Sequence, residues 1–190
     1  MYSYDFHDNF RQMITSPSLD RPFNVLILCT GNSARSILGE ALINRFGRTD
    51  DGRLRFRGYS AGSRPKGRPH PAALALLRRL GLPTEGLRSK SWDEFAVPGA
   101  PPIDFVITVC GNAAGEVCPL WPGEPLRAHW GVDDPAAVEP AGPSQDAAFL
   151  RAYRELEARV KEFAALPLET MDRATLQRAL EAIGRARTPR

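Results

Sequence analysis

Two stretches dominated by apolar residues, Val25 to Leu28 and Ile103 to Val109, stand apart from a chain whose other apolar positions recur mostly at helical spacing. Runs of this kind predict strands covered on both faces, as in a parallel sheet. Behind the first run, Ile37, Leu38, Ala41, Leu42 and Phe46 predict a helix starting at Arg35, with Gly47 as its stop. Leu54 to Ser60 predicts a second strand running into Ala61-Gly62. Pro71 opens a helix with the stripe Leu74, Leu77 and Leu80, ended by Gly81-Leu82-Pro83. Ser91 to Phe95 predicts a helical turn, and Leu126 to Trp130 a last short strand. From Ser144, the positions Phe149, Tyr153, Leu156, Val160 and Phe163 mark a long helix; Asp172 caps a final one carrying Leu176, Leu180 and Ile183, with Gly184 as its stop. Strands alternating with helices predict an α/β protein on a parallel sheet.

Composition adds mainly exclusions. The 190 residues are one ordinary domain's worth of chain. No repeat or linker divides them, so a single domain is expected over 23–190, with a polar, loosely ordered N-terminal extension over 1–22. The net charge of +3 is carried almost wholly by arginine, and no basic run has interleaved aromatics, so no nucleic-acid partner is indicated. Residues 1–22 lack the apolar core of a secretory signal, and no stretch approaches a membrane span, which predicts a cytoplasmic protein without a membrane partner. Three cysteines, an odd number, argue against a secreted disulfide framework and leave reactive or buried thiols.

Those thiols give the pattern its chemistry. The first strand meets its helix through Cys29-Thr30-Gly31-Asn32-Ser33-Ala34-Arg35-Ser36. A loop of this kind leaves the first N–H groups of the helix without intrahelical partners, and such a concavity attracts an anion. A helix N-terminus and a neighbouring cation favour the thiolate of Cys29. The fork of Arg35 matches two oxygens of a tetrahedral oxyanion where lysine offers a point charge.

Cys110 follows the second apolar run, so it is expected on the same carboxyl edge of the sheet as Cys29. Cys118 lies beyond a segment of small residues, Gly111 to Val117, that reads as built to move. Neither cysteine belongs to a C-x-x-C pair, and no second ligand pair stands at finger-like spacing, so no zinc site follows. Gly131-Val132-Asp133-Asp134-Pro135 places a carboxyl group, Asp134, just past the last strand, where it can protonate an oxygen leaving the anion; it can equally begin an Asx turn before proline. His129 and Trp130 are expected to pack the strand end rather than react.

The motifs from Cys29 to Ser36, Val109-Cys110, Cys118-Pro119 and His129 to Ala136 together closely resemble the thioredoxin-coupled arsenate reductases, which share the low-molecular-weight tyrosine phosphatase fold. The resemblance implies a three-layer sandwich with a four-stranded parallel sheet in the order 2-1-3-4. It implies further that Cys29 attacks arsenate held by Arg35 and the loop amides of Thr30, Gly31, Asn32, Ser33, Ala34 and Ser36, and that Asp134 acts as acid. Cys110 would then release arsenite by forming a disulfide with Cys29, and Cys118 would pass that disulfide to thioredoxin. Ser36 would donate to the Cys29 thiolate. No bound cofactor is implied; reducing equivalents come from thioredoxin, or alternatively from glutaredoxin and glutathione, and phosphate or sulfate would compete with arsenate. Some members bind potassium near the loop, and Asn32 and Glu40, with Ser60 and Asp93, fall at matching positions. Ala34 stands where the related families commonly carry a second loop cysteine.

Two other readings remain open at this point. A phosphatase would form a phosphocysteine at Cys29, hydrolysed by water with Asp134 as acid and then base, and would have no use for Cys110 or Cys118. A non-catalytic regulator would hold arsenite in a soft three-thiol site, leaving Arg35 and Asp134 without purpose.

Overall fold

The computed structural model describes residues 21–111, 121 and 123–186. Four parallel strands form its sheet: β1 Phe23–Leu28, β2 Phe56–Ala61, β3 Phe105–Thr108 and β4 Leu126–His129, in the order β2-β1-β3-β4. The helices are α1 Arg35–Phe46, α2 Pro71–Arg79, α3 Pro143–Ala164 and α4 Arg173–Arg185, with short 3-10 turns at Trp92–Phe95 and Pro135–Ala137.

β1 is the strand that needs cover on both sides. Val25 and Ile27 face one core and Leu26 and Leu28 the other, all four essentially inaccessible to water. The larger core lies under α1, α2, α3 and α4, where Phe56, Phe105 and Trp130 meet the ring of Phe163 at 4.8–5.8 Å between centroids. The smaller core gathers Ile103, Val106, Trp121 and Phe95 of the Trp92–Phe95 turn. Each fully buried aliphatic side chain of this kind stabilises the fold by about 1.5–3 kcal/mol.

Several boundaries differ from those the pattern predicts. β2 starts at Phe56 rather than Leu54, which forms an isolated antiparallel bridge with Arg48. The buried face of α2 is Ala73, Leu76 and Leu77, while Leu74 and Leu80 are only half-buried, because Leu80 caps the helix end instead of continuing its stripe. Asp172 caps α4 as expected, its carboxylate accepting from the Thr175 N–H at 2.8 Å. Gly184, however, lies inside α4 rather than ending it. A Cβ there would sit 2.2 Å from the His129 carbonyl oxygen, so the glycine serves close approach to β4. α4 thereby covers the outer strand: Gln177 donates to the Arg127 carbonyl (2.8 Å) and the Trp130 indole donates to the Leu180 carbonyl (3.0 Å). A helix over an edge strand protects its backbone from pairing with another chain.

Of the expected N-terminal extension, only Arg21 and Pro22 are described; Arg21 forms a forked ion pair with Asp104. Residues 1–20 and Cys118, with most of the segment predicted to move, lie outside the described residues.

Candidate active site

The parallel register brings the chemistry to one edge. Leu28 pairs with Ala61 on one side and with Thr108 on the other, so Cys29 emerges between Gly62 and Val109. Gly62 permits this, since a Cβ on it would lie 2.5 Å from the Thr30 carbonyl oxygen and 2.7 Å from that of Cys29. Cys29 and Cys110 do share the edge, but offset by one residue: Cys110 comes level with Thr30, whose hydroxyl is 3.7 Å from its sulfur. Both cysteines are buried.

From Cys29 the chain turns through Asn32, which is fully buried at a positive φ of 38°. Asparagine adopts this left-handed conformation more readily than most residues, and here its amide organises the loop. It donates to Ser36 Oγ and Ser60 Oγ, each at 2.9 Å, and accepts from the Lys90 N–H at 2.7 Å. Ser36 thus already accepts a hydrogen bond, which leaves its own proton for Cys29 Sγ, 3.0 Å away.

α1 begins at Arg35 behind Ala34, which offers no side-chain cap, and its first turn holds no acidic residue. The first N–H groups of the helix are therefore left for an anion, with the positive end of the helix dipole behind them. They border a cavity of about 310 Å³ lined by Cys29, Thr30, Gly31, Ser33, Ala34, Arg35, Arg64, Lys66, Asp134 and Ala136. Arg64 and Lys66 come from the loop after β2, whose N–H groups bond the Thr30 and Gly31 carbonyls at 2.9 and 3.0 Å. Three cations against the one carboxylate of Asp134 make the cavity favourable for a doubly charged oxyanion.

Asp134 stands across this cavity. One of its oxygens accepts from the Ala136 N–H (3.1 Å), the Asx turn expected before proline, and the other pairs with Arg35 Nη2 at 2.9 Å. Arg35 also donates to the Val132 carbonyl at 3.3 Å. His129 is exposed and bonded to the Thr108 hydroxyl, whereas Trp130 is fully buried, so of the two expected to pack the strand end only Trp130 is in the core.

The polar residues matched to a cation site divide. Asn32, Ser60 and Glu40 converge, with the Ser60 hydroxyl donating to Glu40, whereas Asp93 accepts from Ser91 within its own 3-10 turn. The positive charge beside Glu40 is supplied by the chain itself: Lys90 Nζ lies 3.5 Å from the carboxylate, both side chains being almost wholly buried. Burial pushes the Glu40 carboxyl up and the Lys90 ammonium down, and each charge partly offsets the shift of the other. Among the described residues, no group of three or more His, Cys, Asp or Glu is placed to hold a metal ion, and no helix is long and apolar enough to cross a membrane.

The sequence pattern left Lys90, Arg64 and Lys66 unassigned. The signal that could have found Lys90 is a lysine between two serines, one of only three lysines in an arginine-rich chain, in a stretch without apolar periodicity.

Comparison with known proteins agrees with this geometry. The low molecular weight phosphotyrosine protein phosphatase family matches residues 24–180. An arsenate reductase of Halalkalibacterium halodurans is 34% identical over 140 residues, covering 74% of this chain and 94% of the relative. Among solved structures, the arsenate reductase of Archaeoglobus fulgidus superposes with a TM-score of 0.56 at 25% identity, covering 75% of this chain and 99% of that one. A thioredoxin-dependent arsenate reductase of Corynebacterium glutamicum gives 0.53 at 23% identity, over 76% of this chain and 61% of that one. With the family match spanning most of its length and a relative matched almost end to end, the chain belongs to the low molecular weight phosphotyrosine protein phosphatase family, in company with the arsenate reductases that share its fold.

Proposed function

We propose that the protein reduces arsenate to arsenite through a relay of three thiols, with thioredoxin as the final reductant. The observation that carries the reading is the juxtaposition at the sheet edge: a second cysteine, Cys110, adjoins the anion loop through Thr30, while the Ser36 hydroxyl lies 3.0 Å from the sulfur of Cys29. A phosphatase has no use for that second thiol.

In this reading arsenate enters the cavity and takes Arg35 over from Asp134. The carboxyl group then faces the bound anion, to which it can hand a proton. Cys29 attacks arsenic, an oxygen leaves as water with the proton of Asp134, and a sulfur–arsenic bond results. Cys110, as thiolate, attacks the sulfur of Cys29. The sulfur–sulfur bond forms as the sulfur–arsenic bond breaks, its electron pair stays on arsenic, and arsenite departs two electrons reduced. Cys118 then attacks Cys110 and frees Cys29, and the dithiol of thioredoxin reduces the Cys110–Cys118 disulfide. The Corynebacterium glutamicum enzyme that shares this fold is thioredoxin-dependent, which supports that choice of reductant.

The test is arsenate-dependent NADPH oxidation with thioredoxin and thioredoxin reductase, run beside glutaredoxin and glutathione. Wild type is expected to turn over with the first pair, and Cys29→Ser, Cys110→Ser and Cys118→Ser to be inactive. Full multiple turnover by Cys110→Ser would overturn the relay, and activity confined to the glutaredoxin pair would replace thioredoxin.

A further inference from the structure

The apolar stripe of α3 contains one residue that does not belong to an oily core. Arg159 lies between Leu156 and Val160 on the buried face, with only 7% of its surface exposed. Its Nη1 donates to the carbonyls of Trp130 (3.2 Å) and Gly131 (3.1 Å), and its buried Nε–H has no hydrogen-bond partner among the described residues. Burial disfavours the charged guanidinium, and the acidic group that offsets this is Glu155, one turn earlier on the same helix. A buried cation without a directly bonded carboxylate is costly.

The cost is explained by what the carbonyls belong to. Trp130 and Gly131 are the first residues past β4, in the segment that delivers Asp134 to the cavity. That segment is tied on three sides: the Val132 N–H donates to the Val109 carbonyl (3.2 Å), Arg35 donates to the Val132 carbonyl (3.3 Å), and Arg159 holds the two carbonyls before it.

We propose that Arg159 is a positioning residue: by anchoring the Trp130 and Gly131 carbonyls to α3, it fixes where Asp134 stands relative to Cys29 and Arg35. The inference rests on the reading of Asp134 as the acid of arsenate reduction. Displacing a reacting group by about 1 Å can cost on the order of 100-fold in rate, so loss of this anchor is visible without loss of fold.

The experiment is a double-mutant cycle. Arg159→Met is expected to lower kcat by about 10- to 100-fold, with KM for arsenate within about 2-fold of wild type and a cooperative thermal transition kept at a somewhat lower midpoint, since two carbonyls lose their donor. Arg159→Lys, which keeps a buried donor, is expected to recover part of the loss. In an Asp134→Asn background the further loss on Arg159→Met should be under about 2-fold, since the two act as one unit. Unchanged kcat in Arg159→Met, or the same fold-loss in both backgrounds, overturns the proposal. Amide hydrogen exchange at Val132 and Ala136 in the same variants separates this from the function itself. If wild type does not reduce arsenate, the reductase reading fails, and faster exchange in Arg159→Met still supports the anchor while unchanged exchange rejects it.

Discussion

Two ion pairs involve α1, and they are built for opposite purposes. At its first residue, Arg35 meets Asp134 at 2.9 Å, with 16% and 42% of the two side chains exposed. Five residues on, Glu40 meets Lys90 at 3.5 Å, with 11% and 6% exposed. Partly exposed pairs contribute roughly 0–1 kcal/mol, so an incoming anion can take Arg35 from Asp134 at little cost. Buried pairs differ: removing one partner strands a charge away from water. The outer pair is therefore exchangeable, while the inner pair fixes the Asn32–Ser60–Ser36 network beneath Cys29. In the proposed reaction, one short helix supplies both the group that must release its partner and the group that must not.

Breaking the inner pair has the largest expected effect. Lys90→Met leaves Glu40 buried with its Ser60 hydrogen bond alone, and about 3–5 kcal/mol of stability should be lost at neutral pH, measured by urea denaturation. Glu40→Leu combined with Lys90→Met should recover most of it. Burial raises the Glu40 pKa, so the folded variant holds a proton more tightly than the unfolded chain. Its deficit is then present above the ordinary carboxylate value and shrinks as pH falls toward about 4.3. A deficit under about 1 kcal/mol for the single variant would erase the contrast between the two pairs.

The outer pair should respond in rate rather than stability. Asp134→Asn removes the proposed acid and leaves Arg35 to the anion, so kcat is expected to fall about 100-fold, with KM for arsenate unchanged or lower. Steady-state kinetics with thioredoxin would settle it. An unchanged kcat with a lowered KM would reduce Asp134 to a mere counter-ion of Arg35.

Much of this site was legible in the sequence because local rules and tertiary demands coincide there. The apolar run of β1, the uncapped start of α1 and the spacing from Cys29 to Ser36 together specify a strand, an anion loop and a helix without outside information. Legibility fails where a residue answers to something distant in the chain. Gly184 reads as a helix stop, yet it is set by the His129 carbonyl on β4. Lys90 carries no local signal of its role, which is set when the bridge between Gly62 and Ser91 lays its segment beside Asn32. Arg159 fits the charged spacing of an amphipathic helix until the β4 exit is packed against it. Periodicity reports which face of an element is buried; it cannot report which carbonyl of another element will need a donor there.

A third ion pair, intermediate in exposure, sharpens the comparison through pH. Arg55 donates to both oxygens of Glu169, at 3.0 and 2.9 Å, with 15% and 31% of the side chains exposed, and to the Ala164 and Leu166 carbonyls, both at 2.6 Å. It thereby satisfies the C-terminal end of α3 before the turn into α4. The Arg55 hydrogen bonds hold the Glu169 carboxyl below its usual range. A depressed carboxylate pKa stabilises the fold above the unfolded value and loses that contribution as pH falls through the folded one. Glu169→Gln should therefore cost roughly 1 kcal/mol at neutral pH, and variant and wild type should converge in acid, below about 4.3. Urea denaturation at pH 7 and pH 3 measures both. A gap that persists at pH 3 would assign the loss to packing around the α3–α4 turn instead of charge, and would place this pair with Glu40 and Lys90 as fixed structure, leaving Arg35 and Asp134 as the pair whose charge is free to be exchanged.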